Sequence, residues 1–181
     1  MSRLSSNYAN NEKSAQLLNE VQKTYGNIHN FFKILGNSST ILAGFLAFGN
    51  GLKNGVLSEQ EREQIAIAVA GYDQCEYCAS AHTLFAINAG VPENETKKNL
   101  KGLSDSKKIG TLIKFCLAIL QNKGEVSDEE MALIREAGYT DEAIVEIVAN
   151  VGINIFTNYF NHVAQTDLDF PQVHLNDNTL G

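Results

Sequence analysis

At Ser58 the chain reads S-x-x-E, a capping box in which Ser58 and Glu61 satisfy amide groups left free at a helix N-terminus. The helix opened there is charged over Glu61-Arg62-Glu63-Gln64. It is then apolar on every face over Ile65-Ala66-Ile67-Ala68-Val69-Ala70. A helix with no polar face has no stable place on a surface. This one must run through the middle of the protein or through a subunit interface. The fold is therefore an arrangement that can wrap one apolar rod.

The remaining sequence supplies helices to do so. Leu17, Leu18, Val21 and Tyr25 recur at three or four from Glu12, with Gly26 as a stop. A short apolar segment, Ile28 to Leu35, follows. Ser38 and Ser39 can cap a helix over about Thr40 to Phe48, and the glycines at 49, 51 and 55 read as a loop. Gly71 and Tyr72 end the apolar rod. Asp73 to Glu76, D-x-x-E, can cap the next helix, over about Gln74 to Ala89, closed by Gly90 with Pro92 beyond. Helices follow over Pro92–Leu100, Asp105–Gln121, Ser127 to about Ala137 (with a further S-x-x-E box, Ser127 to Glu130), and Thr140 to about Gln165. In the last, Ile144, Val148, Val151, Ile155 and Tyr159 form a stripe. No strand ladder is legible, so the expected class is all-α: one compact domain over residues 1–181 with a central helical hairpin. Residues 1–10 and 166–181 are expected to be extended or flexible.

Composition narrows the function. Of 181 residues, 44% are hydrophobic and 19% charged, the profile of a folded domain rather than a disordered chain. The formal net charge of −7 removes the basic footprint of general nucleic-acid binding. No unbroken apolar run reaches the roughly 18 residues of a membrane helix, and the first residues carry no apolar signal core. Three cysteines are too few for a disulfide-stapled scaffold, and their odd number fits a reducing compartment, the cytoplasm.

Two of those cysteines are paired. Cys75-Glu76-Tyr77-Cys78 is a C-x-x-C, a pattern found in redox pairs and metal sites and also by accident. Placed at the start of a helix, it sets the two thiols one turn apart, within disulfide range. His82 lies four residues beyond Cys78, on the same face. A thiol attacks as its thiolate, and a helix N-terminus and a histidine both favour that form. Asp73 and Glu76 oppose it, because nearby negative charge raises a thiol pKa. Glu63, on the preceding helix, shares a face with Ile67 and Ala70, and a hairpin could carry its carboxylate to His82 as a proton relay. Its plainer reading is a solvated residue in a charged first turn.

The segment Leu57–Gly90, LSEQEREQIAIAVAGYDQCEYCASAHTLFAINAG, resembles the core of the AhpD-like alkylhydroperoxidase family, within the carboxymuconolactone decarboxylase superfamily. That family's pattern is a glutamate, C-x-x-C twelve residues later, and a histidine four residues beyond. Glu63, Cys75, Cys78 and His82 match at every spacing. The stretch NIFTNYFNHVAQTDLDFP also resembles the last helix of some superfamily members. The resemblance implies an all-α bundle assembled as a trimer or hexamer. It implies that Cys78 is the peroxidatic thiolate, Cys75 the resolving thiol, and His82, oriented by Glu63, the proton carrier. No bound cofactor is implied. The substrate would be a hydroperoxide and the reductant an external dithiol, in the family sometimes a lipoyl protein, which would make dihydrolipoamide the donor. Tyr77 stands where AhpD has a histidine; it can pack as an aromatic or offer its hydroxyl.

Other readings stand beside this one. Cys75, Cys78 and His82 could be three zinc ligands needing a fourth from His29, His162 or His174, although no second ligand pair exists. A lactone decarboxylase of the same superfamily would need acid and base groups but no thiol pair. A non-enzymatic oligomeric module would use the apolar rod as an interface. Cys116, on the apolar face of its helix, reads as an inert core thiol.

Overall fold

The computed structural model describes residues 1–175; the last six, on which part of the expected flexible tail falls, lie outside the described residues. Among the described residues there are nine α-helices and no strand: α1 (Glu12–Tyr25), α2 (Asn30–Leu35), α3 (Ser39–Lys53), α4 (Glu59–Tyr72), α5 (Glu76–Asn88), α6 (Glu93–Asn99), α7 (Lys107–Gln121), α8 (Asp128–Glu136) and α9 (Asp141–Ala164). The all-α expectation holds. The described Cα positions group into two compact units: Met1–Gly51 with Tyr159–Asp169, and Leu52–Asn158 with residues 170–175.

In the first unit, the Asn11 side chain caps α1 by accepting the Ser14 amide, and Gly26 closes it at a φ of 75°. Leu18, Val21, Phe31, Ile34, Leu35 and Leu42 are its buried apolar residues. The first ten residues include a 3-10 turn, Tyr8–Asn10, and the Met1 ammonium lies 2.8 Å from the Asp167 carboxylate. α3 runs on through Gly49 and Gly51, which the sequence reading assigned to a loop. A helical glycine costs about 1 kcal/mol relative to alanine, too little to stop a helix already under way.

The second unit is built around α4. Its capping box forms as read, with Ser58 accepting the Glu61 amide and Glu61 accepting the Ser58 amide. Every residue from Gln64 to Gly71 is buried within this chain, which answers where the apolar rod lies. Ile65 and Val69 join Leu112, Phe115 and Cys116 of α7, Ile134 of α8, and Ile147 and Val151 of α9 in one core cluster. Ala68 meets Ile113 and Leu117 in a second cluster. At roughly 25 cal/mol per Å² of apolar area, this burial is the main force holding α4 in place. Glu61 is anchored as well. Burial would raise its carboxyl pKa, but Lys108 (2.9 Å), Ser58 and the Tyr139 hydroxyl (2.9 Å) outweigh this and hold it down at about 2.

Two readings of α9 change. Its buried face carries Ala143, Ile147, Asn150, Val151, Asn154, Asn158 and Asn161, whereas Val148 and Tyr159 of the expected stripe are about half exposed. Four asparagines broke the apolar pattern that the eye follows, but Asn150 and Asn154 satisfy their amides on the Glu146 and Asn150 carbonyls of the preceding turn. By length and mean hydropathy α9 would also suffice to cross a membrane, although no unbroken apolar run does. A core helix passes the same test, and a row of buried amides is the mark of a helix packed inside protein.

Candidate active site

The joint between α4 and α5 is made by one shared residue. α4 ends at Asp73, Gln74 takes a left-handed φ of 56°, and the Cys75 amide bonds back to the Ala70 carbonyl at 3.0 Å. This is a Schellman closure, with glutamine in the place usually given to glycine. The Gln74 side-chain amide donates to the Gly71 carbonyl at 2.6 Å, which compensates the turn. Cys75, the residue that completes α4, is also the N-cap of α5. The expected cap at Asp73 is thereby corrected: Asp73 ends the preceding helix, and α5 begins at Glu76.

A cysteine at an N-cap points its sulfur at free amides. Cys75 Sγ accepts the Cys78 N–H at 3.4 Å and lies 2.8 Å from Cys78 Sγ. Both are free thiols, 2% and 3% exposed. The Cys75 pKa is lowered, first by the hydrogen bond from Cys78 and then by the Cys78 and Tyr77 amides. Burial and the Asp73 carboxylate act against this. The contact with Cys78 therefore favours the thiolate form of Cys75 relative to an isolated thiol. Cys116 behaves otherwise: fully enclosed, its thiol is pushed far up by burial and stays protonated.

One turn along α5, His82 Nδ1 lies 2.8 Å from Glu63 Oε2, with side-chain exposures of 23% and 18%. Glu63 is thus not a solvated residue of a charged turn. It reaches from α4 to the imidazole on α5, while Glu61 two positions earlier serves the cap. A carboxylate at Nδ1 accepts that nitrogen's proton in a hydrogen bond, so Nε2 is the nitrogen left to exchange a proton. The Phe85 ring stands edge-on to the imidazole at 5.9 Å. Tyr77 is buried with its ring edge-on to Phe170. Among the described residues no group of three or more His, Cys, Asp or Glu is placed to hold a metal ion. His29 and His162 belong to the other unit.

The fold has solved relatives. An alkylhydroperoxidase AhpD-core, peroxidase-related protein from Ralstonia eutropha JMP134 superposes with a TM-score of 0.84 at 24% identity, covering 93% of this chain and 92% of that one. A peroxidase-related protein from Silicibacter sp. TM1040 gives 0.81 at 19% identity, covering 92% and 91%. Residues 40–101, which contain all four candidate residues, match the model of the carboxymuconolactone decarboxylase family. The chain has the all-α, AhpD-like fold of these solved proteins. The debrominase Bmp8, solved with 2,3,4-tribromopyrrole, has the same fold at a TM-score of 0.75 and 16% identity, covering 89% and 88%. No curated protein matches the sequence significantly.

Two features of this site escaped the sequence reading. The Asn158 amide of α9 donates to the Asp73 carboxylate at 2.9 Å, tying the α4–α5 turn to the core. The signal was available in Asn150, Asn154 and Asn158, a polar row at four-residue spacing on an apolar helix. The chain after Phe170 also lies along α5, where the Val173 amide donates to Ser80 Oγ at 2.9 Å and Phe170 meets both Tyr77 and Phe85. An extended segment has no periodicity by which to find it. Asp73→Asn keeps a side chain able to meet Asn158 and removes the charge that opposes the thiolate. The expected result is a lower thiol pKa, read as an iodoacetamide alkylation profile shifted to lower pH. An unmoved profile would show that Asp73 carries no electrostatic weight at the thiols.

Proposed function

We propose that this protein is a thiol-dependent hydroperoxide reductase that cycles Cys75 and Cys78 between dithiol and disulfide. The observation carrying the reading is the pair of contacts on α4 and α5: two buried free thiols 2.8 Å apart, and one turn away an imidazole held by a carboxylate at 2.8 Å.

In the proposed cycle His82 Nε2 takes the proton of Cys78 and Glu63 stabilises the resulting imidazolium. The Cys78 thiolate attacks the outer oxygen of the hydroperoxide. An S–O bond forms, the O–O bond breaks, and the departing alkoxide takes the proton from His82. Cys78 is then a sulfenic acid. Cys75, whose environment favours its thiolate, attacks that sulfur. The S–S bond forms, and hydroxide leaves and is protonated to water. Two thiols and one hydroperoxide have become a disulfide, an alcohol and water. An external dithiol restores the pair by exchange, with dihydrolipoamide on a lipoyl protein as the proposed donor.

The paired thiols weigh against a lactone decarboxylase, which has no use for them. Burial of α4 inside one chain removes the main support for a purely structural module. The proposed setting is cytoplasmic, supported by three free thiols. A homo-oligomer, trimer or hexamer, is supported by the apolar residues Val145, Val148 and Phe156 exposed along α9. Thiol counting in denaturant tests the function. A stoichiometric alkyl hydroperoxide should take the free thiols from the present three to one, with Cys116 remaining, and a dithiol should restore them. A count that stays at three would end the proposal.

A further inference from the structure

A mainly apolar cavity is lined by none of Cys75, Cys78 and His82. It holds about 580 Å³ between α5, α6 and the segment from Pro171 to His174. At 100° per residue, Ser80, Leu84 and Ile87 of its wall lie on the side of α5 opposite Cys78 and His82. The walls are apolar: Leu84 and Ile87 from α5, Leu100 after α6, and Val173 from the returning chain. Its polar groups are few and placed at particular points. Glu93 and Lys97 pair with each other at 2.7 Å across one edge. Lys101, exposed at its wall, makes no ion pair among the described residues. Thr83 also borders it, with a buried hydroxyl that has no hydrogen-bond partner among the described residues.

We propose that this cavity binds a small amphipathic anion, a medium-chain monocarboxylate, with its carbon chain between Leu84, Leu100 and Val173 and its carboxylate at Lys101. A cavity of this size and lining matches small-molecule sites in general. The free ammonium supplies the complementary charge in a protein otherwise net negative. The site does not depend on the redox reading, since it uses the other side of α5.

Titration calorimetry with octanoate tests it, with octan-1-ol as the uncharged control. The full-length protein should bind one octanoate per chain at about millimolar Kd or tighter, and octan-1-ol about tenfold more weakly. Lys101→Ala, a change on the surface, should weaken octanoate about tenfold and leave octan-1-ol unchanged. Leu84→Trp should abolish both by filling the space, with helical circular dichroism confirming that it folds. Absence of saturable octanoate binding, equal affinity for octan-1-ol, or octanoate binding undiminished in Lys101→Ala would each overturn the proposal. These outcomes leave the thiol cycle unaffected, because thiol counts after peroxide do not draw on this cavity.

Discussion

Cys78→Ser is expected to lower peroxide-dependent oxidation of a dithiol by about a thousandfold or more, to background, with helical content unchanged. A serine hydroxyl at this position cannot ionise near neutral pH and cannot form the sulfenic acid on which the cycle turns, and loss of a nucleophile has effects of this order in other enzymes. The residue is 3% exposed, and the replacement oxygen remains near Cys75, so a folded variant is expected. Cys75→Ser should behave differently. Attack still occurs once, no partner resolves it, and Cys78 stays a sulfenic acid that dimedone traps in stoichiometric amount. The comparison is informative because the two sulfurs are placed differently. Cys75 is the N-cap, with its thiol pKa lowered chiefly by the hydrogen bond from Cys78, while Cys78 is the sulfur four residues from the base. If dimedone instead labels Cys75 in the Cys78→Ser variant, the N-cap sulfur is the attacking one and the assignment of the two roles is reversed.

The legible part of this protein was what local chemistry writes into short segments. The Ser58–Glu61 and Ser127–Glu130 boxes name their helices, and a run apolar on all faces leaves no place for α4 but the interior. Once α4 and α5 are known to form a hairpin, Glu63, Cys75, Cys78 and His82 fall together by helical period alone. What could not be read depended on partners distant in sequence. Cys75 looked like a first-turn residue because the left-handed turn at Gln74 is set by the Schellman closure of α4 and by the Gln74 side chain, not by a glycine. The α9 face was misread because Asn158 is buried for an acceptor, Asp73, 85 positions earlier. Gly49 and Gly51 suggested a loop, although they sit in open positions where a helix passes through them.

Gly71→Ala should be among the most destabilising conservative substitutions in the chain, for a reason that separates it from the other glycines. An added methyl at Gly71 would overlap the carbonyl oxygen of Leu100, and the Leu100 Cα lies just 3.1 Å from its position. Those are backbone atoms at the end of α6, so no rotamer change can relieve the clash and one helix end must move. Overpacking of this kind costs roughly 1–3 kcal/mol or more, which for a chain of this length corresponds to a fall in Tm on the order of 5–10 °C. Gly71 accepts the Gln74 side-chain bond and stands four residues from Cys75, so the same shift should loosen the thiol pair and slow disulfide closure after peroxide. Gly49→Ala is the matching control. It places the same methyl in a helix with nothing within 4 Å and should raise stability by about 0.5–1 kcal/mol through helix propensity alone. Opposite signs for one chemical change, measured in a single thermal-denaturation series, are what contact between α4 and the Leu100 backbone requires; a Gly71→Ala protein that melts with the parent would mean that the two backbone segments do not approach there.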